Sequence, residues 1–279
     1  MNPSREDRLP ELLGPWQLTR PRVAAELTVL GDRSRVWRVE TGDGPYVAKL
    51  TFDEPAYVAP GLRIASVLDR AGVPTGAPVP APDGSLYRPV VRHRGRPWTL
   101  ALHTFVPGAP LEPSDGAAAG EAGELLGRVH RLLTTLPEVP RPAGHLLDHY
   151  RGEARRLGRR RGAALRKALK ALSRTTFTEG VLYGDPAPEI LRGPGPLALI
   201  DWGTPSRGPL LHDVVSWQLF LTAGATPEDA PAAERRFLAA YREHCPLAER
   251  ETAARGLFLD LHRAIQDAWT PEPPEDAAR

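Results

Sequence analysis

One stretch constrains this chain more than any other. Between Val181 and Gly203 two short apolar runs each end in an aspartate. Leu182 leads through Tyr183 and Gly184 to Asp185, and Leu197 to Ile200 leads to Asp201. The intervening Gly193-Pro194-Gly195-Pro196 is a reversal signal, because glycine and proline are the strongest local punctuators. The spacing predicts a short β-hairpin that brings the mouths of two loops together. Single strand-end aspartates are common turn formers. A pair of them, each delivered by an apolar strand, suits charge chemistry better than a plain core.

The rest of the chain sets bounds on that chemistry. Its 279 residues leave room for one large domain or two lobes. A hydrophobic share of 41% with 25% charged residues fits a globular protein, and the net charge of +2 makes no global case for nucleic acid. A single cysteine, Cys245, excludes an internal disulfide and a Cys-rich zinc site. The stretch from Met1 to Gly14 is charged and lacks the apolar core of a signal peptide. No run approaches the roughly 20 apolar residues of a membrane span. A cytoplasmic address without a membrane partner is expected.

Upstream, residues 1–26 read as a leading helical segment in which Leu12, Leu13 and Trp16 pack. A turn at Gly31 separates two strands, and Arg35–Val39 mixes apolar and polar residues as a strand does. Thr41-Gly42-Asp43-Gly44 is a hairpin signal leading into Tyr46–Leu50, which holds Lys49 in an apolar frame. That lysine is either a snorkelling edge residue or a fixed cation for phosphate oxygens. Pro60–Gly72 reads as an amphipathic helix with Pro60 in its first turn. Strands at Leu86–Val91 and Trp98–Val106 complete a small sheet, and Pro107-Gly108-Ala109-Pro110 is a hinge signal. Beyond the N-cap candidate Ser114 the pattern turns helical: Ala117–Leu136, Asp148–Arg174, Leu210–Thr222, Pro227–His244 and Leu247–Trp269. His130, on the first of these, reads as a packed, hydrogen-bonded histidine. Thr270–Arg279 is rich in Pro, Glu and Asp and reads as disordered.

A turn between strands, a strand lysine, a helix, a hinge, a helical lobe and two loop aspartates form an order that resembles the aminoglycoside phosphotransferase and choline kinase-like family. Its specific parts are Tyr183-Gly184-Asp185-Pro186-Ala187-Pro188, Leu199-Ile200-Asp201-Trp202, His212-Asp213 and the Gly123–His130 helix. The resemblance implies an α+β, bilobal protein-kinase-like fold. Residues 1–106 would be a nucleotide-binding lobe, 107–113 a hinge, 114–270 a helical lobe with catalytic and metal loops, and 271–279 a tail. It implies ATP and Mg²⁺ as cofactors. Lys49 would hold the α/β-phosphates, with Gly31 and Ser34 covering them. Asp201 would hold the metal, Asp185 would accept or orient the proton of the attacking hydroxyl, and Asp213 would brace the catalytic loop.

The chain departs from the family pattern in ways that matter chemically. Tyr183 stands where the family has histidine, as a loop support. The metal-binding asparagine expected five residues after Asp185 is Ile190, and the neighbouring Glu189 is the substitute ligand if the loop shifts register. The glutamate expected near Gly61–Arg63 to pair with Lys49 is missing, with Glu54 the nearest candidate. The reading is therefore a phosphotransferase, with a pseudokinase serving as a binding subunit as the alternative, and a partner protein that completes the site is compatible with both. The 148–174 segment carries ten cations against two carboxylates, a net +8. Such a surface disfavours a polycationic acceptor and favours a neutral or acidic one, a small molecule or a peptide, with Arg159, Arg160 and Arg161 as its patch. Nucleic acid is the weakest reading of that segment, because Tyr150 is its only aromatic residue.

Overall fold

The computed structural model of the chain describes residues 9–28, 33–91, 97–112 and 118–269. Helix α1 (Leu9–Leu12) and a 3-10 turn (Gly14–Trp16) precede strands β1 (Arg22–Glu26), β2 (Ser34–Thr41) and β3 (Gly44–Thr51). Helix α2 (Pro55–Arg70) and strands β4 (Arg88–Val90), β5 (Trp98–Thr104) and β6 (Ala109–Pro110) follow. Next come helices α3 (Ala119–Thr135), α4 (Leu146–Arg156), α5 (Gly158–Arg161) and α6 (Ala163–Leu172). Strands β7 (Glu179–Leu182), β8 (Ile190–Arg192), β9 (Ala198–Leu199) and β10 (Ser206–Pro209) lead to helices α7 (Leu211–Thr222), α8 (Ala230–His244), α9 (Glu249–Ala253) and α10 (Arg255–Trp269). The class is α+β, as expected. No helix among the described residues is long and apolar enough to cross a membrane.

The chain divides into two compact units. The first comprises Met1–Glu112, Leu132–Arg141 and Pro188–Pro205. Its main sheet is antiparallel in the order β1-β2-β3-β5-β4. Period-two alternation sends Trp37 and Val39, Ala48 and Leu50, and Leu100 and Leu102 to one face. There they form a core with Leu9, Leu13 and Trp16, and the Trp16 indole donates to the carbonyl of Val79 at 2.8 Å. On the opposite face Val58 and Leu62 of α2 pack on Ala101. The unit also holds a small sheet in the order β6-β8-β9.

The second unit comprises Pro113–Arg131, Pro142–Ala187 and Ser206–Arg279. Strand β7 pairs with β10, from Leu182 opposite Ser206 to Glu179 opposite Pro209. The helices bury Leu165, Leu169 and Leu172 of α6 with Trp217, Phe237, Tyr241 and Phe258. The buried stripe of α6 follows its 3.6-residue period.

Several expectations need correction. Residues 22–26 are strand β1 instead of part of a helical leader; only Val23 of the five is half-buried, so the strand has no apolar alternation to announce it. Helix α2 begins at Pro55, which takes the N-terminal place foreseen for Pro60, and Pro60 lies inside the helix. The hairpin across Gly193–Pro196 joins Ile190–Arg192 to Ala198–Leu199, while Leu182 pairs with β10. Pro186 and Pro188 interrupt the run after Asp185, so the first strand cannot continue into the turn. The last helical stretch breaks at Ala254 into α9 and α10. Gly31, Ser114 and the 270–279 tail lie outside the described residues.

Candidate active site

Lys49 sits on β3, an interior strand flanked by β2 and β5, opposite Val36 and Ala101. This overturns the edge-lysine reading. Its Nζ lies 2.6 Å from Oδ1 of Asp201, with the lysine side chain 18% and the aspartate 42% exposed. Asp201 follows β9 in a left-handed conformation, φ 58°. Aspartate tolerates this region better than most residues, and such strain concentrates at functional sites. The next residue anchors the turn: Trp202 is buried and its indole donates to the carbonyl of Leu199 at 3.1 Å.

Helix α2 explains why no helix carboxylate meets Lys49. A Cβ on Gly61 would lie 1.7 Å from the carbonyl oxygen of Trp202. The helix backbone is therefore pressed onto the aspartate loop, and no side chain fits between them. Glu54 stands instead at the N-cap of α2, and the carboxylate on Lys49 is Asp201. Sequence reasoning treated Gly61 only as the place of a missing glutamate.

In the small sheet Ile190 faces Leu199 across the ladder and is 2% exposed, so it belongs to the core. One residue earlier, the carbonyl of Glu189 accepts the N–H of Ile200 at 3.0 Å. This register puts Glu189, an exposed carboxylate, across from the residue that precedes Asp201. Among the described residues no three His, Cys, Asp or Glu side chains cluster as a self-sufficient metal cage. The carboxylates of Asp201 and Glu189 are hard-oxygen groups, the chemical kind that Mg²⁺ takes. Ser34 opens β2 opposite Thr51. Gly31 lies outside the described residues.

The other predicted residues belong to the second unit. Tyr183 and Gly184 carry the chain from β7 to Asp185, with Gly184 at φ 84°. Asp185 is half-buried, and its Oδ1 accepts the N–H of Ala187 at 2.9 Å. Asp213, on α7, is completely buried. Its Oδ2 accepts the N–H of Tyr183 at 2.7 Å and a bond from His130 Nε2 at 3.2 Å. Its Oδ1 accepts the N–H of Gly184 and a bond from His212 Nδ1, both at 3.3 Å. Burial alone would raise the Asp213 pKa. The hydrogen bonds from His130 and His212 overcome it and hold the carboxyl well below the usual range. His130 is fixed in turn by the Tyr241 hydroxyl at 2.9 Å. The sequence motif names His212 only as the residue before Asp213; its bond to the Asp213 carboxylate is visible only in the fold.

Arg159 and Arg160 are exposed on α5. Arg161 is also exposed, but its guanidinium donates to the carbonyl of Ala268 at 2.8 Å, at the end of α10. Arg166 likewise donates to the carbonyls of Ala154 and Gly158 at 2.8 and 3.0 Å. Part of the +8 charge thus caps helix ends instead of facing a ligand.

Comparison with known proteins places this arrangement. The family model described as the phosphotransferase enzyme family, APH, matches residues 27–247, well over half of the chain. The chain belongs to that family. An uncharacterized protein of Deinococcus radiodurans is 27% identical over 259 residues, covering 88% of this chain and 75% of that protein. Two solved structures show the same fold. An amicoumacin kinase in complex with AMP-PNP, Ca²⁺ and Ami superposes with a TM-score of 0.73 at 15% identity, covering 99% of this chain and 91% of its own. A microcompartment-associated aminopropanol kinase gives 0.70 at 16% identity, covering 98% and 92%. The protein-kinase-like fold expected from the motifs is therefore present.

Proposed function

We propose that this family member is an ATP-dependent phosphotransferase that moves the γ-phosphoryl group to a hydroxyl. The Lys49–Asp201 pair carries the reading: a fixed ammonium 2.6 Å from a half-exposed carboxylate on a left-handed turn. Phosphoryl transfer asks the protein mainly for charge placement. In this reading Lys49 exchanges Asp201 for α- and β-phosphate oxygens. Asp201 and Glu189 would hold Mg²⁺, which would supply neutralisation of the phosphate charge. Ser34, at the start of β2, covers the phosphates. Asp185 orients the acceptor hydroxyl and takes its proton as the oxygen attacks phosphorus and the bond to the ADP oxygen breaks. Tyr183 and Asp213 keep the loop that carries Asp185 in place.

The acceptor in this reading is neutral or acidic. Exposed Arg159 and Arg160, within a segment of net +8, repel a polycation. The names of the two solved relatives favour a small hydroxylated molecule over a Ser or Thr of a peptide. One observation favours a second reading, a pseudokinase that serves as a binding subunit: Ile190 is buried where the family keeps a metal-binding asparagine.

The test is transfer of labelled phosphate from ATP with Mg²⁺ to a panel of hydroxylated small molecules and acidic Ser/Thr peptides. At least one acceptor becomes labelled, and Asp185→Ala slows the transfer by about a hundredfold or more. Labelling that survives Asp185→Ala removes the catalytic assignment. Binding of ATP with no transfer to any acceptor favours the binding subunit.

A further inference from the structure

The sheet face that carries Lys49 is covered in one direction and half-buried in the other. Toward the start of β5, Val58 and Leu62 of α2 cover Ala101, and the Thr99 hydroxyl is spent on the carbonyl of Asp53 at 2.8 Å. In the other direction, Val47 lies two residues from Lys49 on the same face, about 7 Å along the strand. Directly across from Val47 on β5 is His103. Val47, Val106 and Ile200 are all half-buried. A Cβ on Gly76 would lie 3.3 Å from the carbonyl of Thr104, 3.5 Å from Val106 and 3.6 Å from Ile200, so these groups share one neighbourhood. In the nucleotide-binding reading, the base of a nucleotide whose phosphates meet Lys49 lies in this direction. The surroundings are apolar side chains, the backbone carbonyl of Thr104 and one imidazole.

That imidazole is locked in one tautomer. Its Nδ1 lies 2.9 Å from the carbonyl oxygen of Gly76. A carbonyl only accepts, so Nδ1 carries the proton. Burial pushes the His103 pKa down to about 4, and the nearby Lys49 charge adds to this against the opposing Gly76 bond and Asp201. At neutral pH the ring is uncharged and Nε2 offers a lone pair. Facing the six-position of a purine, that lone pair meets an amino group in adenine and a carbonyl oxygen in guanine. The first makes a hydrogen bond, and the second sets two acceptors against each other.

We infer that His103 reads the six-position of the purine and selects ATP over GTP. The inference rests on the nucleotide-binding reading above and adds to it the residue that chooses the base. A site built to bond one polar group rejects an analogue that lacks it far more strongly than a missing methylene is rejected.

The test is calorimetric binding to the full chain with Mg²⁺ present. AMP-PNP binds at least about tenfold more tightly than GMP-PNP. His103→Gln, whose amide can turn to offer either a donor or an acceptor, narrows that ratio at least about fivefold, chiefly by tightening GMP-PNP. A ligand series on the wild-type chain makes the same test without a mutation: ATP binds best, purine riboside triphosphate more weakly, inosine triphosphate most weakly. Equal affinity across the series, or a ratio unchanged in a folded His103→Gln, overturns the inference while leaving the nucleotide reading intact. Failure of every nucleotide to bind the wild-type chain, or binding that Lys49→Ala leaves unchanged, overturns that reading and the inference with it.

Discussion

Asp201 and Asp213 are two aspartates treated in opposite ways. Asp201 is 42% exposed and meets a single cation, Lys49. Asp213 is wholly buried and meets four donors: two backbone N–H groups and two imidazoles. A half-exposed ion pair contributes little to stability, about 0–1 kcal/mol, because water screens it and two side chains lose freedom. A buried carboxylate must have every lone pair answered, or its desolvation goes unrepaid. In the proposed function the exposed aspartate is available for exchange, while the buried one is held as a structural node. The difference teaches that the same residue type, at the ends of neighbouring motifs, is told apart by what surrounds it.

The strongest way to break this comparison is to remove both carboxylates separately. Asp213→Ala leaves four donors unanswered, three of them buried, and costs about 3–5 kcal/mol in urea unfolding. Asp201→Ala or Lys49→Ala costs about 1 kcal/mol or less. Similar costs at the two sites would mean that the contrast is false.

Acid sharpens it next. His103 and His262 have pKa values lowered to about 4 and about 3, burial being the first cause in each. Between pH 6.5 and 4 the unfolded chain therefore binds protons that the folded chain refuses. Stability is full above this window and falls as pH drops through it, by at most about 2.7 kcal/mol per pH unit for two imidazoles. Asp213, with its folded pKa depressed, adds a loss at still lower pH, below the ordinary carboxylate value. A chemical-denaturation series from pH 7.5 to 4 shows the decline, and His262→Gln makes it shallower. A flat profile would mean that these rings are not held neutral.

Gly61→Ala is smaller. The added methyl collides with the carbonyl of Trp202, and overpacking of this kind costs about 1–3 kcal/mol, more than the helix propensity gained. Stabilisation by alanine would show that helix and aspartate loop are not in close contact.

Much of the fold was legible because it rests on period and punctuation. The β2–β3 hairpin carried its turn residues at Thr41–Gly44, and the α6 stripe kept its helical spacing. Strand β1 was not legible, since four of its five residues face solvent and leave no pattern. The partner of β7 was hidden for another reason: pairing with β10 depends on chain some twenty residues further on, and no local signal reports it. The candidate site divides similarly. Lys49 and the two aspartates stood out as charges in apolar frames. Gly61 matters only through the approach of Trp202, and His103 only through its carbonyl partner and its place across from Val47. Those are tertiary facts. Even the register that exposes Glu189 and buries Ile190 needed the β8–β9 ladder to be seen.

In the proposed function Lys49 and Asp201 form a pair kept ready for a nucleotide and its metal. A thermal-shift titration with ATP and Mg²⁺ tests it most directly. A ligand that binds only the folded chain adds about 2.7 kcal/mol at a hundred times its Kd, a clear rise in Tm. The wild-type chain should show a metal-dependent rise that both Lys49→Ala and Asp201→Ala lose while remaining folded. An equal rise in Lys49→Ala, or a rise indifferent to the metal, would contradict the claim.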